Sequence, residues 1–447
     1  MNVKRIATFC VCLFVTASLS IHLVAQERAR QVTQTDVKTY QNVSLKVKAT
    51  LDHKGQVFDV AFSPDGEFLA TGSYGENGTR LWNTATGELI ATLDGIAPAF
   101  SPNGHVLMTI SNKTVKLWNS TGQLKLTLTG HKGNITAATF SPDGTQLATG
   151  SEDGTVKIWS TVTGQTSVTL TVWKVKKIAR YRIFSRALHI PLEVHVKFSP
   201  DQHTVLTTTY WEHSSAKLWD VTAGRLQAEF SHPVEVMYET KEAGVTKATF
   251  SPDGKFIATE SPGMVKLWDA TTGKLIEEFK IMFPIMSFSP DSRWLGLIRS
   301  DRGLGLFNLE NLTVQPIDVD TDYLKQQAFS PDSRTYVVAS GYNKFHATLI
   351  DVSTGRVRAK IPLIAKWGFD IVSEYLKDAD LLSFHPSSKF LMGANHSSVR
   401  MWDVSTGELV WETKEGRDPV AFSRDGRLLA TVGKDKKTVL LWEMVGN

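Results

Sequence analysis

A short phrase that reads FSPDG or a near variant recurs nine times along the 447 residues, and it constrains the fold more than any other feature. An anchor residue, usually the Trp of LWD or a relative, follows each phrase after 18 to 21 residues. The phrases start at Phe62, Phe100, Phe140, Phe198, Phe250, Phe288, Phe329, Phe384 and Phe422. The anchors are Trp82, Trp118, Trp159, Trp219, Trp268, Phe307, Ile350, Trp402 and Trp442. This regular spacing predicts a repeat architecture in which neighbouring units bury each other's faces.

Each repeat reads as four short antiparallel strands. The residues before FSP alternate between the two faces of a strand, as in Ile135 to Phe140. Ser-Pro-Asp-Gly forms a tight turn, because Pro presets φ, Asp bonds the local backbone and Gly accepts positive φ. A second turn and the anchor strand follow, and then a Thr-Gly turn such as Thr163-Gly164 leads into the last strand. The repeat therefore predicts an all-β blade.

The two ends of the chain predict how the blades close. The last repeat ends at LWEMVGN and lacks an outer strand, whereas NVSLKVKATL precedes the first phrase as a spare alternating segment. We therefore expect a single closed β-propeller over residues 40–447, with its last blade completed by the N-terminal strand. Closure of this kind hides sheet edges that would otherwise invite aggregation. Nine motifs predict nine blades, and eight blades are the alternative.

With these motifs the chain resembles the WD-repeat β-propeller family. Within that family it resembles an exported protein of a bacterial type. In that family, a His, a strand Thr or Ser, a turn Asp and the anchor Trp can form a structural hydrogen-bond tetrad. The third repeat carries all four as His131, Thr149 (or Ser151), Asp153 and Trp159, and His53 marks a partial case. The resemblance implies a protein-interaction scaffold without enzymatic activity.

The N-terminus predicts export. Lys4 and Arg5 precede an apolar run to about Leu19, and Ala25 is a suitable cleavage position, so residues 1–25 read as a signal peptide. Residues 26–39 then form a polar linker. The protein is expected in the periplasm or outside the cell, with an uncleaved membrane anchor as the alternative. Cys10 and Cys12 would leave with the signal peptide, so the mature chain would form no disulfide.

Catalytic and cofactor motifs are absent from the sequence. There is no G-x-S-x-G elbow, phosphate-binding loop or H-E-x-x-H pair, and the histidine spacings fit no standard metal site. Asp403 to Trp411 fits the D-x-x-T-G-x-x-x-W docking repeat of quinone propellers, but it is a single match in nine. We therefore predict no metal and no cofactor, and we expect Trp411 near a surface.

Three junctions between repeats are longer than the rest, and they supply the candidate binding residues. The first, from Trp173 to Arg186, holds six cations and no acidic residue, whereas the net charge of the whole chain is only +4. The candidates are Trp173, Lys176, Lys177, Arg180, Arg182, Trp211 and Trp367. Long loops on a rigid scaffold often carry recognition. The basic stretch could bind an anionic lipid or polysaccharide surface, or form a solvated hairpin.

Together these features predict a non-enzymatic, exported and monomeric scaffold that binds unidentified protein partners through one face and its insertion loops. Nucleic acid is not an expected partner, because the small net charge is spread along the chain. Two alternatives stay open. One is a propeller hydrolase or lyase with a site in the central channel, and the other is a protein that binds the cell envelope or an anionic surface through residues 173–186.

Overall fold

The computed structural model confirms an all-β propeller of nine four-stranded antiparallel blades. It describes residues 37–39, 44–75, 78–173, 182–183, 186–187, 194–209, 215–232, 244–299, 303–319, 326–340, 346–363, 381–395 and 397–445. No helix occurs within these ranges. The nine motifs thus correspond to nine blades, and the alternative of eight is not observed.

The strands follow the predicted repeat. The N-terminal strands and blades one to four comprise β1 Val37–Thr39, β2 Ser44–Asp52, β3 Val57–Phe62, β4 Phe68–Ser73, β5 Gly78–Asn83, β6 Leu89–Asp94, β7 Ile96–Phe100, β8 Leu107–Ser111, β9 Thr114–Trp118, β10 Leu124–Leu128, β11 Ile135–Phe140, β12 Gln146–Ser151, β13 Thr155–Ser160, β14 Thr166–Thr171, β15 Arg182–Ile183, β16 Arg186–Ala187, β17 Val194–Phe198, β18 Thr204–Thr209, β19 Ala216–Asp220 and β20 Leu226–Phe230. Blades five to nine comprise β21 Lys247–Phe250, β22 Phe256–Ser261, β23 Met264–Asp269, β24 Leu275–Phe288, β25 Trp294–Arg299, β26 Leu304–Asn308, β27 Thr313–Ile317, β28 Gln326–Phe329, β29 Thr335–Ser340, β30 His346–Asp351, β31 Val357–Pro362, β32 Leu381–Phe384, β33 Phe390–Ala394, β34 Val399–Asp403, β35 Leu409–Thr413, β36 Gly416–Phe422, β37 Leu428–Gly433 and β38 Thr438–Val445.

The blades fall into two compact units. Among the described residues, unit one comprises Asp94–Glu278 and holds blades two to five, and unit two comprises those from Val37 to Leu93 and from Phe279 to Val445. In every blade except the last, the first strand in sequence is the inner strand and the fourth is the outer strand. The long strand β24 begins as the outer strand of blade five and ends as the inner strand of blade six, where Met286 pairs with Leu297.

The last blade of unit two contains strands from both ends of the chain. Strand β2 pairs antiparallel with β38 from Ser44 opposite Val445 to Asp52 opposite Thr438, and β37 and β36 complete the sheet. Leu51 of β2 is fully buried in the core that this blade shares with blade one. The predicted completion of the last blade by the N-terminal strand is therefore confirmed.

A further strand extends blade eight. Strand β1 pairs with the outer strand β35, with Val37 opposite Thr413 and Thr39 opposite Trp411. These three residues belong to the segment that the sequence predicts as a polar linker. The four strands of blade eight are therefore extended by a fifth, and the outer strand β35 is paired on both sides.

Period-2 alternation along the inner strands packs each blade against its neighbours. In unit one, Val194, Val196 and the motif residue Phe198 pack against blade three, together with Ala148 and Ile158. Residues one and three positions before the motif Phe point the other way. Ala137, three before Phe140, joins the core formed with blade four. Because the motif recurs with this alternation, equivalent residues lie in the cores between successive blades.

The two ends of a blade differ. The end with the Ser-Pro-Asp-Gly and Thr-Gly turns is called the turn end, and the opposite end, with the remaining two connections, is called the loop end. At the turn end, Ser141 Oγ donates to Asp143 at 2.6 Å and accepts from the Gln146 amide at 2.9 Å. Gly144 adopts φ 74°, which L residues rarely reach. Asn103 of blade two donates to the Asp143 carbonyl at 2.8 Å, so neighbouring turns are tied together.

Candidate functional site

A threonine on the second strand holds the anchor tryptophan in six blades. In each blade, the indole Nε1 donates to the threonine Oγ1 at 2.7–3.2 Å. The pairs are Thr71–Trp82, Thr109–Trp118, Thr149–Trp159, Thr207–Trp219, Thr259–Trp268 and Thr431–Trp442. A buried indole N–H normally finds such a partner. The bond therefore fixes the third strand against the second close to the loop end.

The other three blades lack this pair for visible reasons. In blades six and seven the anchor is Phe307 or Ile350, neither of which has a donor, and both are buried. In blade eight, Trp402 is 3% exposed, but Gly393 occupies the position of the threonine. Phe307 and Ile350 therefore contribute through packing, and Trp402 has no threonine partner on the second strand.

A cation two residues before the anchor joins the third strand to its surroundings. Lys266 Nζ lies 5.8 Å from the Trp268 ring centroid and 3.3 Å from Glu278 on the outer strand. Arg400 Nε lies 2.8 Å from Glu412, which is opposite it in the sheet. Arg80 donates to the Asp52 carbonyl at 2.7 Å. These contacts brace the outer strand just before it enters the loop end.

The candidate tetrad of blade three is a continuous chain of hydrogen bonds. His131 Nε2 lies 2.8 Å from Thr149 Oγ1, which also accepts from Trp159, and His131 Nδ1 lies 3.1 Å from Asp153 Oδ2. The same carboxylate oxygen accepts from the Lys132 amide at 2.7 Å. Asp153 thus links the connection before β11 to the turn between β12 and β13. Both connections at this loop end are thereby fixed.

Burial and hydrogen bonding set the charges of His131 and Asp153 in this tetrad. Burial lowers the pKa of His131, against the opposing effect of Asp153, so neutral imidazole is favoured. Burial acts to raise the pKa of Asp153. The hydrogen bonds from Thr155, the Lys132 amide and His131 outweigh it and bring the pKa to about 2. The carboxylate therefore stays ionised, and the imidazole can donate to it.

Blade five contains a second histidine chain that the sequence analysis did not identify. His232 Nε2 lies 2.8 Å from Thr259 Oγ1, which accepts from Trp268, and His232 Nδ1 lies 2.6 Å from Ser261 Oγ. Ser261 here takes the place that Asp153 has in blade three. A usable signal was present, because His232 follows the last core residue of its outer strand by two positions, as His53 follows Leu51.

His53 is buried without an equivalent chain. Neither of its ring nitrogens has a hydrogen-bond partner among the residues that the structure describes. The ring lies edge-on to Trp82, with centroids 5.8 Å apart. Burial, followed by the nearby charge of Arg80, lowers the pKa of His53 to about 3. His53 therefore packs as a neutral aromatic side chain.

Each long connection at the loop end starts beside a buried residue. Val172 is 4% exposed and belongs to the core between blades three and four, and its amide donates to Gly154. Leu363 is similarly buried between blades seven and eight. His232 occupies the same position before the connection to blade five. The first residues of the three insertions are thus held by the blade cores.

The structure places some of the predicted binding residues. Trp173 is half-buried, and its amide donates to the Gly154 carbonyl at 3.1 Å. Arg182 lies in strand β15, which pairs with β16 as a short hairpin with Ile183 opposite Arg186. The remaining candidates lie outside the described residues: Lys176, Lys177, Arg180, Trp211 and Trp367.

The prediction that Trp411 lies near a surface is wrong. Its side chain is fully buried, in the core between blades eight and nine. It occupies the position on the outer strand that Val168 and Ala228 occupy in blades three and four. There the Thr-Gly turn of the next blade approaches closely: a Cβ at Gly224 would lie 3.0 Å from Val168. Blade nine takes its outer strand from the N-terminus and has no such turn, which leaves room for an indole.

The described residues also bear on metal sites and on membrane-spanning helices. No group of three or more His, Cys, Asp or Glu side chains in this part of the chain is arranged to hold a metal ion. No helix there is long and apolar enough to cross a membrane.

Comparison with known proteins identifies the repeats. The model of the WD40 family, described as WD domain, G-beta repeat, matches residues 45–83, 87–119, 122–160 and 232–269. Protein tipD of Dictyostelium discoideum is 28% identical over 207 residues, which cover 45% of this chain and 29% of that protein. Small ribosomal subunit protein RACK1y of rice is 33% identical over 137 residues, covering 28% of this chain and 40% of that protein.

A third relative is the guanine nucleotide-binding protein subunit beta of rice, which is 32% identical over 126 residues, or 25% of this chain and 33% of that protein. The aligned part of the chain thus spans less than half the length of each of these relatives. These relatives come from a slime mould and a plant. They therefore do not support the prediction that the protein is of a bacterial type. The resemblance to the WD-repeat family is itself confirmed, because the WD40 model matches four segments of the chain.

Proposed function

We propose that this protein is a non-enzymatic interaction platform that binds protein partners through the loop end of its blades. The observation that carries the proposal is the difference between the two ends. The turn end repeats one tight, internally bonded turn, as at Ser141, Ser251 and Ser289. The loop end bears all three insertions and starts each of them beside a buried residue. Variable loops on a fixed base are the usual arrangement for recognition.

The hydrogen-bonded histidines support this assignment, because they fix connections at the loop end through bonds within the blades. His131 and His232 use their ring nitrogens on side chains of their own blades. A scaffold that holds its loops in place loses less conformational entropy when it binds a partner. The relatives agree with this proposal, because two of them are named as a ribosomal subunit protein and as a subunit of a guanine nucleotide-binding protein.

Affinity capture with two matched variants tests the proposal. In the first, residues 174–193 are replaced by a Gly-Ser connection of the length found between β10 and β11. In the second, Val162, which is 76% exposed in a Thr-Gly turn, is changed to Ser at the turn end. We expect the first variant to lose partners that the unchanged chain and Val162→Ser retain. Equal capture by all three, or turnover of hydrolase or lyase substrates, would contradict the proposal.

We also propose that the protein is exported and that the mature chain begins at Gln26. The support is the sequence: Lys4 and Arg5, the apolar run and Ala25. Residues 1–25 lie outside the described part of the chain. Cell fractionation with N-terminal sequencing of the product tests this. An intact N-terminus in the membrane fraction would indicate the anchor, and an intact soluble chain in the cytoplasm would contradict export.

A further inference from the structure

Two lysines stand on the inner strands of unit one, at positions where the other blades of this unit have small neutral residues. These positions lie one and three residues before the motif Phe, on the strand that lines the central channel of a propeller. Blades two and three have Ala97, Ala99, Ala137 and Thr139 there. Blades four and five have His195, Lys197, Lys247 and Thr249. The change concentrates positive charge on two neighbouring blades.

The side chains of these two blades meet. Lys197 Nζ donates to Thr249 Oγ1 at 3.3 Å, so the lysine of blade four reaches across to the inner strand of blade five. His195 lies two residues before Lys197 in β17, and therefore on the same face of that strand. Lys197 and Lys247 are both exposed to solvent. The group is thus assembled from two strands, and both lysines still reach solvent although the surrounding protein partly buries Lys197.

Glu260 is an acidic residue that faces this group, and it is only partly satisfied by hydrogen bonds. Glu260 is opposite Lys247 in the sheet and 5% exposed, and its Oε2 has no hydrogen-bond partner among the described residues. Burial raises the pKa of Glu260 to about 7, although Lys247 acts against the rise. The carboxylate is therefore only partly ionised at neutral pH.

The lysines also repel each other. Burial, and then the charge of Lys247, lowers the pKa of Lys197. Burial, followed by the charge of Lys197, lowers the pKa of His195. Because the charges of Lys197 and Lys247 repel each other, a bound anion would relieve the repulsion. Lysine is a common ligand of phosphate and also pairs with carboxylates.

We propose that Lys197 and Lys247, with Thr249 and His195 beside them, form a binding site for an oxyanion on the inner wall of blades four and five. The ligand is a phosphate or carboxylate group whose oxygens accept hydrogen bonds from both ammonium groups. The site is built from inner-strand residues and not from the insertions, and it does not depend on the interaction platform proposed above.

Blade three supplies the residues for a test, because it carries Thr139 and Ala137 at the equivalent positions. The double variant Lys197→Thr/Lys247→Ala therefore introduces side chains that this fold already accommodates there. Lys125→Ala, at an exposed position of the outer strand β10, removes one positive charge elsewhere as the matched control. Lys247→Gln keeps most of the side-chain stem and provides a milder second variant. The probes are inorganic phosphate and a hexaglutamate peptide, each compared with chloride at equal ionic strength.

Calorimetric titration and melting temperature are the measurements. We expect at least one probe to bind the unchanged chain and Lys125→Ala and to raise their melting temperatures. The double variant should bind at least tenfold more weakly, and Lys247→Gln should fall in between. In chloride, the double variant should melt no lower than the unchanged chain. Phosphate binding alone would identify a phosphate site, and peptide binding alone would identify a carboxylate site. Failure of both probes to bind the unchanged chain, or equal binding by the double variant, would overturn the proposal.

Discussion

The rings of Trp411 and Trp442 meet edge to face, with their centroids 5.2 Å apart and their planes at 80°. Both side chains are fully buried. Trp442 also donates to Thr431, whereas Trp411 Nε1 has no hydrogen-bond partner among the described residues. Packing is therefore the main contribution of Trp411, and it occurs next to the blade that joins the two ends of the chain.

Trp411→Ala should lower the free energy of unfolding by about 3–5 kcal/mol, because it removes a fully buried aromatic side chain. Trp411→Phe should cost much less, because the indole N–H that it removes has no observed partner. Urea titration measures both changes. Trp159→Phe is the matched control, since it also loses a hydrogen bond to Thr149. A loss below about 1 kcal/mol for Trp411→Ala would show that Trp411 lies outside the core.

Leu51→Ala should destabilise the protein by about 2–5 kcal/mol, because this residue fixes β2 in the last blade and is fully buried. Lys46→Ala is the control in the same strand, where the side chain is exposed, and it should have little effect. Thermal unfolding of both variants tests the closure. If the two variants unfold alike, the N-terminal strand contributes little to stability.

The buried histidines should make the protein sensitive to acid. The pKa of His232 is lowered to about 4 by burial, then by the charge of Lys266, and that of His53 to about 3. Their unfolded value is about 6.5. Below pH 6.5 the unfolded chain therefore takes up protons that the folded chain does not, and stability falls as the pH drops from 6.5 towards 4.

His232→Gln should reduce that pH dependence by up to about 1.4 kcal/mol per pH unit, because each unit of pKa shift corresponds to this energy. Glutamine still offers a donor and an acceptor to Thr259 and Ser261. Urea midpoints at pH 7.5, 5.5 and 4.5 give the measurement, and His203→Gln, at an exposed turn, is the control. An unchanged pH slope would mean that His232 is not the group that titrates.

Glu260 should act with the opposite sign. Its folded pKa is raised to about 7, so the folded chain binds a proton that the unfolded chain releases between about pH 7 and 4.5. Its burial therefore costs stability at pH 8, and this cost fades as the pH falls. Glu260→Gln should raise the melting temperature at pH 8 and change it little at pH 4.5. An equal shift at both pH values would contradict this.

The sequence predicted most of the fold because the repeats record the blade structure directly. Phe140 ends the inner strand of one blade and Trp159 anchors its third strand, and a spacing of 18 to 21 residues between two such positions recurs nine times. The last blade was predictable because one strand was missing at one end and spare at the other. The strand at Val37–Thr39 was not predictable, because its partner β35 is about 370 residues away in the sequence.

The site was harder to predict than the fold. His131 lies 18 residues before Thr149, whereas an insertion places His232 27 residues before Thr259. The two hydrogen-bonded histidines therefore do not share one sequence spacing. Lys197 and Thr249 meet across two blades and 52 residues. Contacts between blades depend on which faces meet, and the single-repeat motif does not encode that.

The last prediction concerns the basic stretch between blades three and four, which contains the hairpin of β15 and β16. It has six cations within fourteen residues in a chain of nearly balanced charge. If it binds an anionic surface, affinity should fall steeply above about 0.15 M salt, where charges are screened within about 8 Å. Replacing Lys176, Lys177, Arg180 and Arg182 with Ser should then abolish binding and leave the melting temperature unchanged, because the stretch lies outside the four-stranded blades. Co-sedimentation with anionic liposomes and capture on an acidic polysaccharide measure this, with Lys197→Thr/Lys247→Ala as the control for the separate charges of the inner wall. If the unchanged chain binds neither surface at low salt, the stretch is a solvated hairpin.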